Sequence, residues 1–155
     1  MWTNAHDAYL ESKVLSADPV ELIRMLYQAC TSAVREARQH LANGEIRGRS
    51  RSITKARNIL AELTIALDHK RGGEISRRLA ELYDYMMRRL NQANFEQSEA
   101  PLAEVLGLLA TLTEAWDGVQ QQIKAACPAG AETSRWPQPA HQEAAPGYSS
   151  QSWSF

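Results

Sequence analysis

Residues 20–100 contain no proline, and their apolar residues recur at steps of three and four. That spacing matches the 3.6-residue repeat of an α-helix, not the two-residue repeat of a strand. A proline inside a helix would remove a hydrogen bond and clash with the preceding turn, so its absence keeps long helices open. The first segment opens at Asp18-Pro19-Val20-Glu21. Aspartate suits an N-cap, proline suits the first helical position, and a glutamate three residues after the cap completes a capping-box pattern. One apolar row then runs through Leu22, Leu26, Ala29, Ala33 and Ala37, a second through Ile23, Tyr27, Cys30, Val34 and Leu41, and Asn43-Gly44 stops the helix.

The second segment is weak at its start and gains a stripe from Ile53 through Ala56, Leu60 and Leu63 to Leu67, breaking between Asp68 and Gly73. The third begins around Glu74 with Ile75, Leu79, Leu82, Met86, Leu90 and Ala93. The fourth begins near Pro101 and places Leu102, Val105, Leu109, Leu112, Trp116, Val119 and Ile123 at alternating steps of three and four, the seam of a bundle helix. Helices of about 22 residues span ~33 Å each. Four of them on short connections predict an all-α fold, an antiparallel up-and-down four-helix bundle over residues 19–125. Residues 1–18 precede it as a short cap segment. Its Tyr9, Leu10, Val14 and Leu15 can lie against the bundle but are too few for a fifth full helix.

Residues 126–155 differ in composition. From Pro128 on there are four prolines, many Ala, Ser and Gln, and no Leu, Ile, Val or Met, so the segment is expected to be a disordered tail. Its aromatic residues Trp136, Tyr148, Trp153 and Phe155 are unusual for a solvating tail; they fit a variable extension or a short docking peptide.

Charge and composition exclude several classes. Lys and Arg number 17 against 18 Asp and Glu, a formal net charge of −1, which gives no global attraction to nucleic acid or anionic membrane. The apolar runs are too short to span a bilayer, and the start lacks the basic and apolar regions of a secretory signal. Two isolated thiols, Cys30 and Cys127, suit a reducing compartment. The expectation is a soluble cytoplasmic protein with neither a nucleic-acid partner nor membrane insertion.

Catalytic chemistry is equally absent. None of His6, His40, His69 and His141 pairs with another His, Cys or carboxylate at metal-ligand spacing, so no metal, cofactor or enzymatic activity is expected. His40 falls where a helix C-terminus favours a cation. Gly72-Gly73 lacks the preceding strand and the Lys-Ser/Thr of a phosphate loop and reads as an interhelical turn. Arg47, Arg49, Arg51, Lys55 and Arg57 form a run without an acid: a solvated face, a docking site for an acidic protein surface, or a nucleic-acid contact, the last weakened by the near-neutral chain and the lack of interleaved aromatic residues. A phosphotransfer bundle would need an exposed mid-helix histidine, which neither His40 nor His69 supplies.

The informative excess is apolar. A bundle helix needs one stripe of about 100°. The third segment adds Tyr83 and Met87 beside its stripe, and the first clusters Leu22, Ile23, Met25, Leu26 and Tyr27 in its early turns. These residues are either ordinary core or a groove for an apolar peptide, for which tyrosine and the adaptable methionine are well suited.

The order of local motifs then resembles one family. Ala8-Tyr9, Ser16-Ala17-Asp18-Pro19, Met25-Leu26-Tyr27, Lys55-Ala56-Arg57-Asn58-Ile59-Leu60, Gly72-Gly73-Glu74-Ile75, Leu82-Tyr83-Asp84-Tyr85-Met86, Arg88-Arg89-Leu90, Ala93-Asn94 and Ala115-Trp116 resemble the flagellin export chaperone family, FliS, over about residues 5–120. The resemblance implies a cytoplasmic helical chaperone without enzymatic activity. Such a protein binds the disordered C-terminal segment of flagellin, prevents its premature polymerisation and holds it ready for the flagellar type III export apparatus. It also implies that the N-terminal segment can cover part of the same surface. The flagellin-binding residues expected on this reading are Tyr9, Leu22, Leu26, Tyr27, Tyr83, Met87, Leu90 and Asn94. An alternative is an adaptor or regulator of flagellar gene expression or assembly, with a flagellar regulatory protein as partner.

Overall fold

The computed structural model describes residues 3–16 and 18–126. Among them are five α-helices and no strand: α1 (Thr3–Ser16), α2 (Pro19–Ala42), α3 (Ile46–Ile65), α4 (His69–Glu96) and α5 (Ala100–Ala126). The expected tail lies, from residue 127 on, outside the described residues. No helix among the described residues is long and apolar enough to cross a membrane.

The local signals explain the ends of α2. Pro19 occupies its first turn with Glu21, which suits the positive end of the helix dipole. Asp18 makes no side-chain cap bond, so the expected capping box does not form. Asn43 and Gly44, the latter at φ +70°, turn the chain so that the Glu45 amide donates to the His40 carbonyl at 2.8 Å. Start positions elsewhere differ from expectation. α3 is helical from Ile46, before its apolar stripe begins, because Arg49 and Ser52 face inward there and Arg49 Nε donates to Asn94 Oδ1 at 3.2 Å. α4 begins at His69 rather than Glu74. The Asp68 side chain accepts from the amides of Lys70 and Arg71, both at 3.0 Å, and caps one turn before the axis kinks at Gly73.

That kink depends on glycine twice. Gly73 sits at φ 49°, ψ −121°, a conformation that side chains with a Cβ disfavour although the space around it is open. At Gly72 the limit is space, since a Cβ would stand 1.8 Å from Ser76 Oγ, whose hydroxyl donates to the Asp68 carbonyl at 3.0 Å. Replacing Gly73 by alanine is expected to lower the unfolding free energy by about 1–3 kcal/mol, read as a shift of the urea midpoint.

α2 packs against α3 and α5, and α4 packs against the same two, so the four longer helices form a ring joined by short connections. Arg24 Nε lies 3.2 Å from Asp117 Oδ1 and Gln120 Nε2 donates to Glu21 Oε2 at 3.2 Å, bringing the start of α2 to the end of α5. Late α4 meets early α5 where Glu104 accepts from Tyr85 at 2.5 Å and from Arg89 Nε at 2.6 Å. Inside the ring Tyr27, Cys30, Leu60, Met86, Leu90, Leu102 and Leu109 are fully buried. Every fully buried residue of α5 lies in its first half, ending at Leu109. The core therefore thins along α5 toward the other end, where the partly buried Leu112 and Trp116 continue it.

One expectation about the N-terminal segment is corrected. It is a regular helix, α1, with Tyr9 65% and Leu15 82% exposed. Its apolar residues are spread around the helix without a single face, so it has no stripe to dock as a bundle helix does.

Burial also sets the alkaline limit of the fold. It pushes the Cys30 thiol from 9.0 up to about 12, and raises the Tyr27 and Tyr83 hydroxyls above 10.0. All three groups keep their protons in the folded state at pH values where the unfolded chain loses them. Their contribution is thus complete below the unfolded values and is lost as pH rises through the folded ones. The urea midpoint is expected to hold near neutral pH and to fall above about pH 9, with Cys30 unreactive to an alkylating reagent until the protein unfolds.

Candidate apolar binding site

Where the core thins, four helices leave an apolar cavity of about 270 Å³. Ile23 lines it from α2, Leu63 from α3, Leu67 and Asp68 from the connection to α4, Ile75, Leu79 and Tyr83 from α4, and Trp116 from α5. The kink at Gly73 positions this wall: the capped turn of 69–72 stands off the axis that Ile75 and Leu79 follow. Around it stand apolar side chains open to solvent. Ile75 is 70% exposed, and Val119 and Ile123, on the α5 face of Trp116, are 41% and 47% exposed.

The polar groups beneath the cavity are few. Trp116 Nε1 donates to the Tyr27 hydroxyl at 3.0 Å, and the Tyr27 and Tyr83 hydroxyls share a hydrogen bond. The ring centroids of Tyr27 lie 6.4 Å from Tyr83 and 6.5 Å from Trp116, tilted, in the range of favourable aromatic pairs. Burial raises both phenols, so each stays a neutral donor and acceptor. Three donors share two bonds in this triad, which leaves one phenol O–H to seek an acceptor outside it. Such a wall can take an apolar side chain. Among the described residues no three His, Cys, Asp or Glu gather where they could hold a metal.

The eight residues expected to bind do not form one surface. Tyr27, Tyr83 and Leu90 are core residues, and only Tyr83 also reaches the cavity. Leu22 and Leu26 are half-buried on early α2. Met87 is half-buried further along α4, and Asn94, near the far end of that helix, accepts from Arg49 and Ser50. Tyr9 is on α1. The sequence pattern left Ile23 open between core and groove and missed Leu63, Leu67, Ile75, Leu79 and Trp116 as cavity residues. The available signal was the Gly72-Gly73 break directly before Ile75, which marks a helix end where a stripe loses its neighbours. Asp84 and Arg88 form an ion pair at 2.9 Å on the exposed face of α4.

A family model described as flagellar protein FliS matches residues 2–123. Over 108 residues the chain is 44% identical to the flagellar secretion chaperone FliS of Salmonella typhimurium, covering 69% of this chain and 80% of that protein. It is 38% identical over 122 residues to the flagellar secretion chaperone FliS of Bacillus subtilis, covering 78% of this chain and 90% of that protein. The Escherichia coli protein of the same description is 34% identical over 108 residues, 69% of this chain and 79% of its own length.

Proposed function

The chain belongs to the flagellar protein FliS family, and on that premise we propose that it is a cytoplasmic, non-enzymatic chaperone that binds the C-terminal segment of flagellin at the open end of its bundle. Its α2–α5 ring acts as an antiparallel up-and-down four-helix scaffold. The observation that carries the reading is the apolar cavity, with the exposed Ile75 on its wall and the exposed Val119 and Ile123 continuing the α5 face of its Trp116. A monomeric soluble domain gains nothing from exposing these side chains together, whereas a partner that lays its own apolar residues across them removes both surfaces from water. Burying a few hundred Å² at ~25 cal/mol per Å² contributes several kcal/mol. Ordering the incoming segment takes back about 2–5 kcal/mol, which suits a partner that must be released again.

Covering the apolar residues of flagellin this way keeps them from driving polymerisation and leaves the segment ready for the flagellar type III export apparatus. The exposed Tyr9, Leu10 and Leu15 equip α1 to serve as a displaceable cover for the same surface. The reading is tested by calorimetric titration of the full chain with the C-terminal segment of flagellin from the same organism. Saturable binding with a negative heat-capacity change is expected. No binding to the folded chain, or equal binding of a scrambled segment, overturns it.

A further inference from the structure

The cations of α3 are set apart by their spacing. Arg47, Arg51, Lys55 and Arg57 form no ion pair with any described residue, as Arg35, Lys70, Arg71 and Lys124 on other helices do not, but they lie together on one helix. α3 carries no acid before Glu62. Arg47, Arg51 and Lys55 follow one another at four-residue intervals, so they form one exposed row about 12 Å long. Like charges at that spacing repel, and cations in the first turns oppose the helix dipole. The row therefore costs the isolated fold stability, and no contact within the described residues offsets it.

The row borders a shallow depression of about 730 Å³ between α2 and α3, with Gly48 and Ser52 on α3 and Glu36 and His40 on α2. Ile46, 59% exposed, stands at its end beside Arg47. The depression lies at the α2–α3 connection, while the apolar cavity lies at the α3–α4 connection, the other end of α3.

We propose that this depression docks an acidic amphipathic helix of a protein partner, one with carboxylates at four-residue spacing and an apolar residue placed to meet Ile46. The spacing of the row is the i, i+4 repeat of a helix, so one helix laid along α3 brings a carboxylate to each cation. The depression also holds carboxylates. Glu45 shares a hydrogen bond with His40, whose Nδ1 lies 2.5 Å from its Oε2, and Glu36 forms no ion pair with any described residue. A peptide can set a neutral residue opposite Glu36, whereas a phosphate backbone with a charge every ~1.7 Å along the duplex axis cannot. No aromatic side chain lines the depression for bases to stack on.

This docking is independent of the flagellin reading, and its test is too. The full chain is titrated, by fluorescence anisotropy, with a synthetic helical peptide carrying three glutamates at four-residue spacing and a leucine one turn away. A permuted peptide of the same composition serves as control. The ordered peptide is expected to bind at least about tenfold more tightly than the permuted one, with affinity falling as salt rises. Arg51→Glu with Lys55→Glu is expected to remove that preference, while Lys124→Glu keeps it. Should the double reversal lower helicity by circular dichroism, Arg51→Gln with Lys55→Gln replaces it. Equal affinity for the two peptides, an unchanged preference in the folded double variant, or tighter binding of a DNA duplex than of the ordered peptide each overturns the proposal. The flagellin segment is expected to bind the double variant as it binds the parent chain, so a failure of either reading is visible separately.

Discussion

Truncating Leu90 to alanine lowers the unfolding free energy by about 2–5 kcal/mol, out of the roughly 5–15 kcal/mol that a domain of this kind commands. Leu90 is fully buried in the same cluster as Met86, Ala93 and Val105. Its removal loses the transfer free energy of the deleted carbons and leaves a cavity that a close-packed ring of four helices closes only in part. The neighbouring Met87 is half-buried and flexible, so Met87→Ala is expected to cost well under half as much. Urea titration at constant slope measures both. The affinity of folded Leu90→Ala for an apolar peptide is expected to stay at the parent value, because Leu90 does not line the cavity. A large affinity change without a stability change would return Leu90 to the binding surface.

Leu90 also illustrates what the sequence could tell. The helical periods of all four ring helices were legible, and so were both ends of α2, because Pro19 and Asn43-Gly44 act through the backbone of their own turn. The start of α3 was hidden because its inward positions there are Arg49 and Ser52. Arg49 is buried through its bonds to Asn94 on a distant helix, and an apolar stripe does not register such a contact. The turn at 69–72 was hidden in the same way, since its cap is the side chain of Asp68 and the glycines after it suggest only a break. The width of the apolar faces correctly pointed to surplus apolar surface. Width cannot say which residues another helix covers. Tyr27 and Tyr83 meet hydroxyl to hydroxyl inside the ring, while Ile75, on the same helix as Tyr83, lies past the end of the buried core and stays open. The difference lies in how far α5 carries the core, a property of packing between distant segments.

Placing glutamates at Ile75 and Val119 together is expected to weaken binding of the flagellin segment by at least about a hundredfold while leaving the fold intact. Both positions are substantially exposed, and substitutions at such sites away from special features usually change stability by less than about 0.5 kcal/mol each. In the free variant the two carboxylates remain hydrated. Once an apolar segment covers the cavity they must be stripped of water, and no basic side chain lines the cavity itself to meet them there. That cost falls on the bound state alone, so it appears in affinity and not in the urea midpoint. The same substitution at Phe95, which is 90% exposed near the other end of α4, provides the comparison. Twenty residues of helix place it about 30 Å from Ile75, so Phe95→Glu is expected to bind the segment as the parent does. A double variant that folds and keeps the parent affinity would move the ligand off the open end of the bundle. Weakening by Phe95→Glu to a similar degree would show that added negative charge, rather than the cavity rim, governs the association.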